Sequence, residues 1–148
     1  MHALTLLMED HKVLKNLLTE GEESTERAVK GRKELLARLT RELEVHEAIE
    51  EKILYPALKK HEKAKDIVLE GYQEHHVADL LVKELHATDV TNEVWGAKMK
   101  VLKEAIEHHI EEEEEDMFKK ARDIFDRAEL DDLGTQMEEM KRDLKHAA

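Results

Sequence analysis

Apolar residues recur every three or four positions along most of the chain, and this spacing predicts amphipathic α-helices. Five helical segments are predicted. The first covers about 3–21, the second begins at 24 or 25 and continues past 54, and the third covers about 65–85. The fourth ends near 125, and the fifth covers about 128–146. Pro56 predicts a kink or local break in the second segment, because proline removes a backbone donor from a helix. Thr88, Asp89 and Thr91 are candidate N-caps for the fourth segment. Gly134 is expected to be a weak point in the fifth.

Short loops between long amphipathic helices favour antiparallel neighbours. The predicted fold is therefore all-α: an up-down-up-down four-helix bundle over about 2–125, with an additional C-terminal helix that flanks it. A length of 148 residues suits one domain, so residues 1–148 are taken together. One proline and five glycines leave little material for the turns of a β-rich fold.

Composition and charge exclude several classes of function. The chain has 36 acidic and 24 basic residues, and a net charge of −12 argues against nucleic acid as a partner. It has no cysteine, which excludes disulfides, thiolate metal sites and cysteine nucleophiles. No apolar run approaches the roughly 18 residues that span a bilayer, and no signal-peptide pattern is present. We therefore expect a cytoplasmic protein without a membrane partner.

Ten histidines are many for a helical protein, and histidine is a common metal ligand. Polar residues interrupt the apolar stripes of four predicted helices near mid-length. These residues are His11, His46, Glu50, His75, His109 and Glu113. A lone histidine on an apolar face is more often a hydrogen-bonded core residue than a ligand. Buried carboxylates such as Glu50 and Glu113, however, need a cation or a proton, and a metal site satisfies all six groups at once.

The donor set limits which metal fits. Nitrogen and oxygen ligands without sulfur suit iron, manganese or zinc. Six protein groups exceed the four that one zinc ion prefers. Two metals bridged by Glu50 and Glu113, with coordination positions left for a small ligand, account for the set better.

Four segments of the chain resemble the hemerythrin-like HHE cation-binding family. They are EDH at 9–11, HEAIEE at 46–51 leading to LYP at 54–56, EHH at 74–76, and HIEEE at 109–113. The resemblance covers about residues 2–120. It implies a four-helix bundle with two non-heme iron ions, oxo- or hydroxo-bridged, and with manganese or zinc as substitutes. Carried over by position, it implies as metal ligands His11, His46, Glu50, His75, His109 and Glu113, with Glu47 as an extra candidate.

The chain departs from oxygen-carrying members of that family at two positions. Asp79 stands where those carriers have a fifth histidine. His109 is followed by Glu113 at the fourth position, where the carriers have an aspartate at the fifth. These departures argue against a simple reversible oxygen carrier. Asp79 is left as a ligand, an acceptor for a histidine N–H, or a solvent-facing residue.

The other conspicuous residues are assigned to structure. Tyr55 and Tyr72 are predicted to be packing residues, with a phenol near the metals as the less favoured alternative. His76 and His108 are left outside the predicted site, next to the histidines chosen as ligands. The remaining histidines are expected to be exposed residues at helix ends: His2, His61, His86 and His146.

Two functions remain open, and no catalytic residue is assigned. The first is a di-iron protein that binds or senses a small species: O₂, NO or iron itself. The alternative is an enzyme that decomposes peroxide, as a catalase or peroxidase does. A ferritin-like oxidase is rejected because the chain has no Glu-x-x-His pair. The expected partner is thus a diatomic ligand or peroxide, the expected state is a monomer or homodimer, and any signalling output would need another protein.

Overall fold

Five long helical rods account for most of the chain in a computed structural model, which describes residues 1–147. The α-helices are α1 (Ala3–Glu23), α2 (Val29–Ile49), α3 (Tyr55–Lys59), α4 (Glu62–His86), α5 (Glu93–Glu112), α6 (Phe118–Ile124) and α7 (Arg127–His146). Two π-helical turns, Glu50–Leu54 and Glu113–Met117, join α2 to α3 and α5 to α6 without a break. In chain order, the five rods are therefore α1, α2 with α3, α4, α5 with α6, and α7. No β-strand occurs in residues 1–147, which confirms the all-α prediction and a helical bundle.

The start of α2 differs from the predicted one. Ser24 does not begin this helix but closes the previous one, because its hydroxyl donates to the Gly21 carbonyl at 2.6 Å. The Ser24 hydroxyl also accepts from Arg32 Nε at 2.9 Å. These bonds hold residues 24–28 as a connection, and α2 begins at Val29.

The predicted N-caps of the fourth rod are also wrong. Asn92 caps α5, and its side chain accepts from the Val94 N–H at 2.9 Å. Asp89 accepts instead from the Thr91 N–H at 2.8 Å, which uses its side chain in the preceding turn. The N-cap therefore lies one residue after Thr91, the last candidate that the sequence suggested, and the helix begins at Glu93.

The rod does not end at Pro56, where a kink or local break was predicted. A π-helical turn precedes the proline, and the helix continues after this turn. Pro56 cannot donate a backbone hydrogen bond, and the wider turn over Glu50–Leu54 absorbs this loss while the rod continues. The second π-helical turn, Glu113–Met117, contains no proline. Proline is therefore not a general cause of these turns, and each of them begins at a predicted ligand.

A polar layer divides the apolar core into two clusters. One cluster holds Leu4, Leu7 and Ile49 among its members, and the other holds Leu14 and Leu39. His11 of α1, His46 of α2 and His75 of α4 fall between the two clusters in sequence, as does Glu113 after α5. The bundle therefore seals this layer with apolar side chains on both sides.

The C-terminal rod α7 packs on α1 and α2. Asp126 and Glu129 form a capping box at its start. Gly134 is not a weak point, because a Cβ there would overlap the backbone of Met1 and Ala3. Glycine is needed for this close approach. None of the helices described is long and apolar enough to cross a membrane.

Candidate metal centre

The fold brings the six predicted ligand residues together in the polar layer, and every one of them is buried. They form two groups in which the potential ligand atoms lie within 4.8 Å of one another. Glu50 and Glu113 belong to both groups. His11 and His46 complete the first group, and His75 and His109 complete the second. The structure thus assembles the set, while metal ligation by these residues stays a prediction.

Each shared carboxylate faces a histidine of both groups. Glu113 Oε1 lies 3.0 Å from His11 Nε2, and Glu113 Oε2 lies 3.1 Å from His109 Nε2. Glu50 Oε1 lies 3.0 Å from His75 Nε2 and 3.4 Å from His46 Nε2. The two oxygens of Glu113 point to different groups, which is the arrangement that a carboxylate bridge between two ions requires.

A second set of carboxylates, which we call the outer ring, holds the opposite edge of each imidazole. Its members lie next to a histidine Nδ1: Glu114 at 2.6 Å from His11, Asp10 at 3.0 Å from His46, Glu51 at 2.7 Å from His75, and Glu74 at 2.6 Å from His109. An ionised carboxylate accepts the Nδ1 proton, so the network assigns the Nε2 lone pairs to the interior. All four imidazoles are thereby oriented to bind a cation through Nε2.

The outer ring follows a regular rule. Each of its residues is the direct sequence neighbour of a predicted ligand, and each contacts a histidine on another rod. Thus Asp10, beside His11 on α1, holds His46 of α2. Around the bundle, each of the first three rods supplies the carboxylate that orients the histidine of the next rod. The fourth rod supplies the carboxylate that orients the histidine of the first. The sequence analysis missed these four residues, and the acidic neighbour beside each ligand was the available signal.

The inner atoms of the site lack the partners that buried polar groups normally have. His46 Nε2 and Glu50 Oε2 have no hydrogen-bond partner in residues 1–147. His75 Nε2 and His109 Nε2 lie 3.2 Å apart, so two lone pairs face each other when both Nδ1 atoms carry protons. Cations at this place would satisfy these atoms, since imidazole and carboxylate suit iron, manganese or zinc. The residues present therefore fit the metal centre that the sequence predicts.

Tyr55 corrects the sequence interpretation, which treated it as a packing residue. Its phenol is fully buried, donates to Glu113 Oε2 at 2.7 Å and lies 3.3 Å from His75 Nε2. A Cβ at Gly71 would lie 2.9 Å from the phenol oxygen, so this glycine makes room for the ring. The i→i+5 geometry of the π-helical turn brings Tyr55 to the face of Glu50, a position that α-helical spacing does not predict.

Charge shifts the pKa values of the inner groups when no cation is bound. Burial lowers the pKa of His46, but the charge of Glu50 and the hydrogen bond to Asp10 outweigh burial and raise this pKa to about 10. Burial lowers the pKa of His109, and the charge of Glu113 raises it. The charge outweighs burial, so this pKa lies well above the ordinary value of a histidine. Both histidines therefore hold a proton that an entering metal ion must displace.

The charges of the same carboxylates also shift the pKa of the buried phenol. Burial, together with the charges of Glu113 and Glu50, raises the pKa of Tyr55 well above its ordinary value. The phenol therefore keeps its proton near neutral pH and acts as a hydrogen-bond donor toward Glu113.

Glu47 and Asp79 lie beside the centre but outside both groups. Glu47 is buried, whereas Asp79 is exposed, which favours the solvent-facing alternative for Asp79. Burial and the neighbouring Asp79 carboxyl group raise the pKa of Glu47 to about 10.

Three of the four histidines predicted to be exposed at helix ends are exposed: His61, His86 and His146. His76 and His108, which the prediction left outside the site, are exposed as well. His2 is half-buried, and its Nδ1 caps α1 by accepting from the Leu4 N–H at 3.1 Å. His108 joins Glu74 and Glu112 in a separate surface group. None of these histidines belongs to the two buried groups.

Comparison with known proteins agrees with this geometry. The family model described as the hemerythrin HHE cation binding domain matches residues 2–121. The chain is also similar to the crystal structure of a hemerythrin HHE cation binding domain-containing protein from Mycobacterium kansasii, with 26% sequence identity and a TM-score of 0.87. That likeness covers 99% of this chain and 89% of the other. No curated protein matches the chain.

Proposed function

Because the chain belongs to the hemerythrin HHE cation-binding domain family, we propose that it holds two non-heme iron ions and uses them to bind or sense a small species. The species we consider are O₂, NO and iron itself. One observation carries this proposal: two buried groups of potential ligands share Glu50 and Glu113. A site for one ion would not need two sets of histidines on opposite sides of the same carboxylates.

Each part of the site has a separate task in this proposal. His11 and His46 would hold one ion, and His75 and His109 would hold the other, with Glu50 and Glu113 between them. Bound iron would supply redox chemistry and coordination positions that the protein groups leave open. The outer ring keeps the imidazoles in place, and the apolar clusters above and below exclude bulk water.

Metal content tests the proposal directly. Metal-free protein is loaded with Fe²⁺ without oxygen, desalted, and analysed for iron per chain. We expect two ions in the wild type and in His76→Ala, which removes an exposed histidine beside the site. The double variant His46→Ala/Glu50→Ala should lose bound iron and keep the helical circular dichroism. One ion or none in the wild type, or full loading of the double variant, would contradict two-iron binding.

Binding of the small species has its own readout. The visible spectrum of the iron-loaded protein should change on addition of O₂ or NO, and the change should be absent in the double variant. An unchanged spectrum with both gases would refute ligand binding at the centre while leaving the metal content intact.

Peroxide decomposition is the second candidate, and the buried phenol of Tyr55 favours it. A hydrogen-bond donor 2.7 Å from Glu113 is placed where it can give a proton to a ligand at the centre. Oxygen release from H₂O₂ by the iron-loaded protein, reduced in Tyr55→Phe, would support this reading. An iron-loaded wild type that leaves peroxide unchanged would exclude it.

The topology and assembly belong to the same proposal. The connections between successive long rods are short, which supports alternating up and down directions for the four rods of the bundle. We expect one set of ligands in each chain, whether the protein is a monomer or a homodimer. Light scattering with and without iron would measure the assembly state.

A further inference from the structure

A groove of about 630 Å³ lies against α2 and α4 beside the metal centre. Four carboxyl groups and two lysines line it: Glu44, Glu47, Glu51, Asp79, Lys52 and Lys83. Acidic groups therefore outnumber basic ones around this opening.

Glu47 lies between the groove and the interior. Its side chain also lines a small internal cavity of about 10 Å³, whose walls include His46, His75 and His109. Glu47 is only 6% exposed, and its Oε2 has no hydrogen-bond partner within residues 1–147. Leu43 and Glu47 line both the groove and the cavity, and Glu47 is the one of the two with a polar side chain.

The surroundings of Glu47 and Asp79 indicate which ligand this place accepts. Both carboxyl groups line the groove, and the buried Glu47 Oε2 has no hydrogen-bond partner within residues 1–147. Carboxylate oxygens in an acidic groove match a hydrated divalent cation, because oxygen ligands are the ones that such ions prefer.

We infer that Glu47 and Asp79 form a capture site through which a divalent cation passes from the groove to the buried centre. The inference depends on the proposed binding of metal at that centre. Asp79 is exposed and would bind the hydrated ion first. Glu47 is buried and would bind the ion next, on its way to the interior. The internal cavity that Glu47 lines has His46, His75 and His109 in its wall.

The surface group of Glu74, His108 and Glu112 is a less suitable entrance. Glu74 is bonded to His109 Nδ1, on the outer edge of the imidazole, whereas Nε2 of the same ring faces Glu113. A cation held by the surface group would therefore lie on the Nδ1 side of the ring. The cavity beside Glu47 has three of the four histidines in its wall.

Loading kinetics test the capture site. Metal-free protein is mixed in a stopped-flow instrument with Co²⁺, a probe that needs no oxidation, and the visible absorbance is followed to its end point. We expect Asp79→Asn and Glu47→Gln to load about 10-fold more slowly than the wild type, with the final stoichiometry unchanged. The control is Glu104→Gln, which removes an exposed carboxylate on α5 and should load at the wild-type rate.

The outcomes separate this inference from the proposed function. Equal loading rates in all four proteins, with normal stoichiometry, would overturn the capture site and leave the metal centre intact. Loss of an ion at equilibrium in Glu47→Gln would make Glu47 a ligand and would also overturn it. Absence of bound metal in the wild type would overturn the proposed function itself.

Discussion

Glu114 offers a sharp test of the outer ring. Its Oε2 lies 2.6 Å from His11 Nδ1, and its side chain is 27% exposed, so water shields the pair only in part. In Glu114→Ala the imidazole loses the acceptor that fixes its tautomer and its rotation. Stacking on Phe118, at 5.9 Å between ring centroids, still limits the ring to one plane. The substitution therefore removes a contact that orients the His11 imidazole, and it leaves His11 Nε2 in place as a potential ligand atom.

The expected magnitude follows from this role. Removal of a carboxylate that orients a ligating histidine costs about 10- to 100-fold in metal affinity, or about 1.4 to 2.8 kcal/mol. Because Glu114 contacts only the histidine of the first group, one of two bound ions should weaken. A titration against a chromogenic chelator should thus become biphasic, with the second ion held at nearly wild-type affinity.

Glu115→Ala is the matched control for this experiment. It removes the same charge at the next position of the same acidic run, and Glu115 is exposed with no hydrogen bond or ion pair in the part of the chain described. General loss of negative charge should affect both variants alike. Equal affinities in Glu114→Ala and Glu115→Ala would refute an orienting role for the outer ring.

Four further predictions concern the phenol of Tyr55, two glycines and the pH dependence of stability. Tyr55→Phe removes the donor to Glu113, and the same chelator titration should show both ions retained with up to about tenfold weaker binding. Gly96→Ala, where a Cβ meets nothing within 4 Å, should stabilise α5 by about 1 kcal/mol in urea unfolding. Gly134→Ala should instead destabilise by about 1 to 3 kcal/mol, because the new Cβ overlaps the N-terminal backbone. In the metal-free protein, stability measured by urea unfolding should fall as pH rises from about 6.5 to about 10. The folded pKa of His46 is raised to about 10, so its contribution is complete below the unfolded value and lost above the folded one, and Glu47, with a similarly raised pKa, acts in the same direction.

Helical periodicity was sufficient to predict the rods and the set of six residues. His46 with Glu50 and His109 with Glu113 are four residues apart, a spacing that puts both side chains on one face of a helix. Apolar residues on both sides of each pair fixed that face as the inner one. These are properties of a single helix, and a sequence pattern expresses them directly.

The features that periodicity did not predict arise where local geometry or contacts between helices decide. Tyr55 reaches the centre because the turn before it is π-helical, which changes the position of every later residue on the rod. Ser24 resembles a helix start, yet its bond to Gly21 makes it the end of the helix before. The pairing of Asp10 with His46 depends on how two helices pack, which the sequence of either helix does not contain.

The outer ring also explains how the site depends on the whole bundle. No histidine of the set is oriented by a carboxylate of its own rod, so a correct ligand geometry requires that all four rods pack in the right order. The fifth rod joins this arrangement at Asp10, which accepts from His46 through Oδ2 and from Lys141 of α7 through Oδ1. Lys141 lies beyond the residues 2–121 that the family model matches. The C-terminal helix therefore contributes to the position of a predicted ligand without contributing a ligand, and a chain that ended before α7 would leave Asp10 without its lysine.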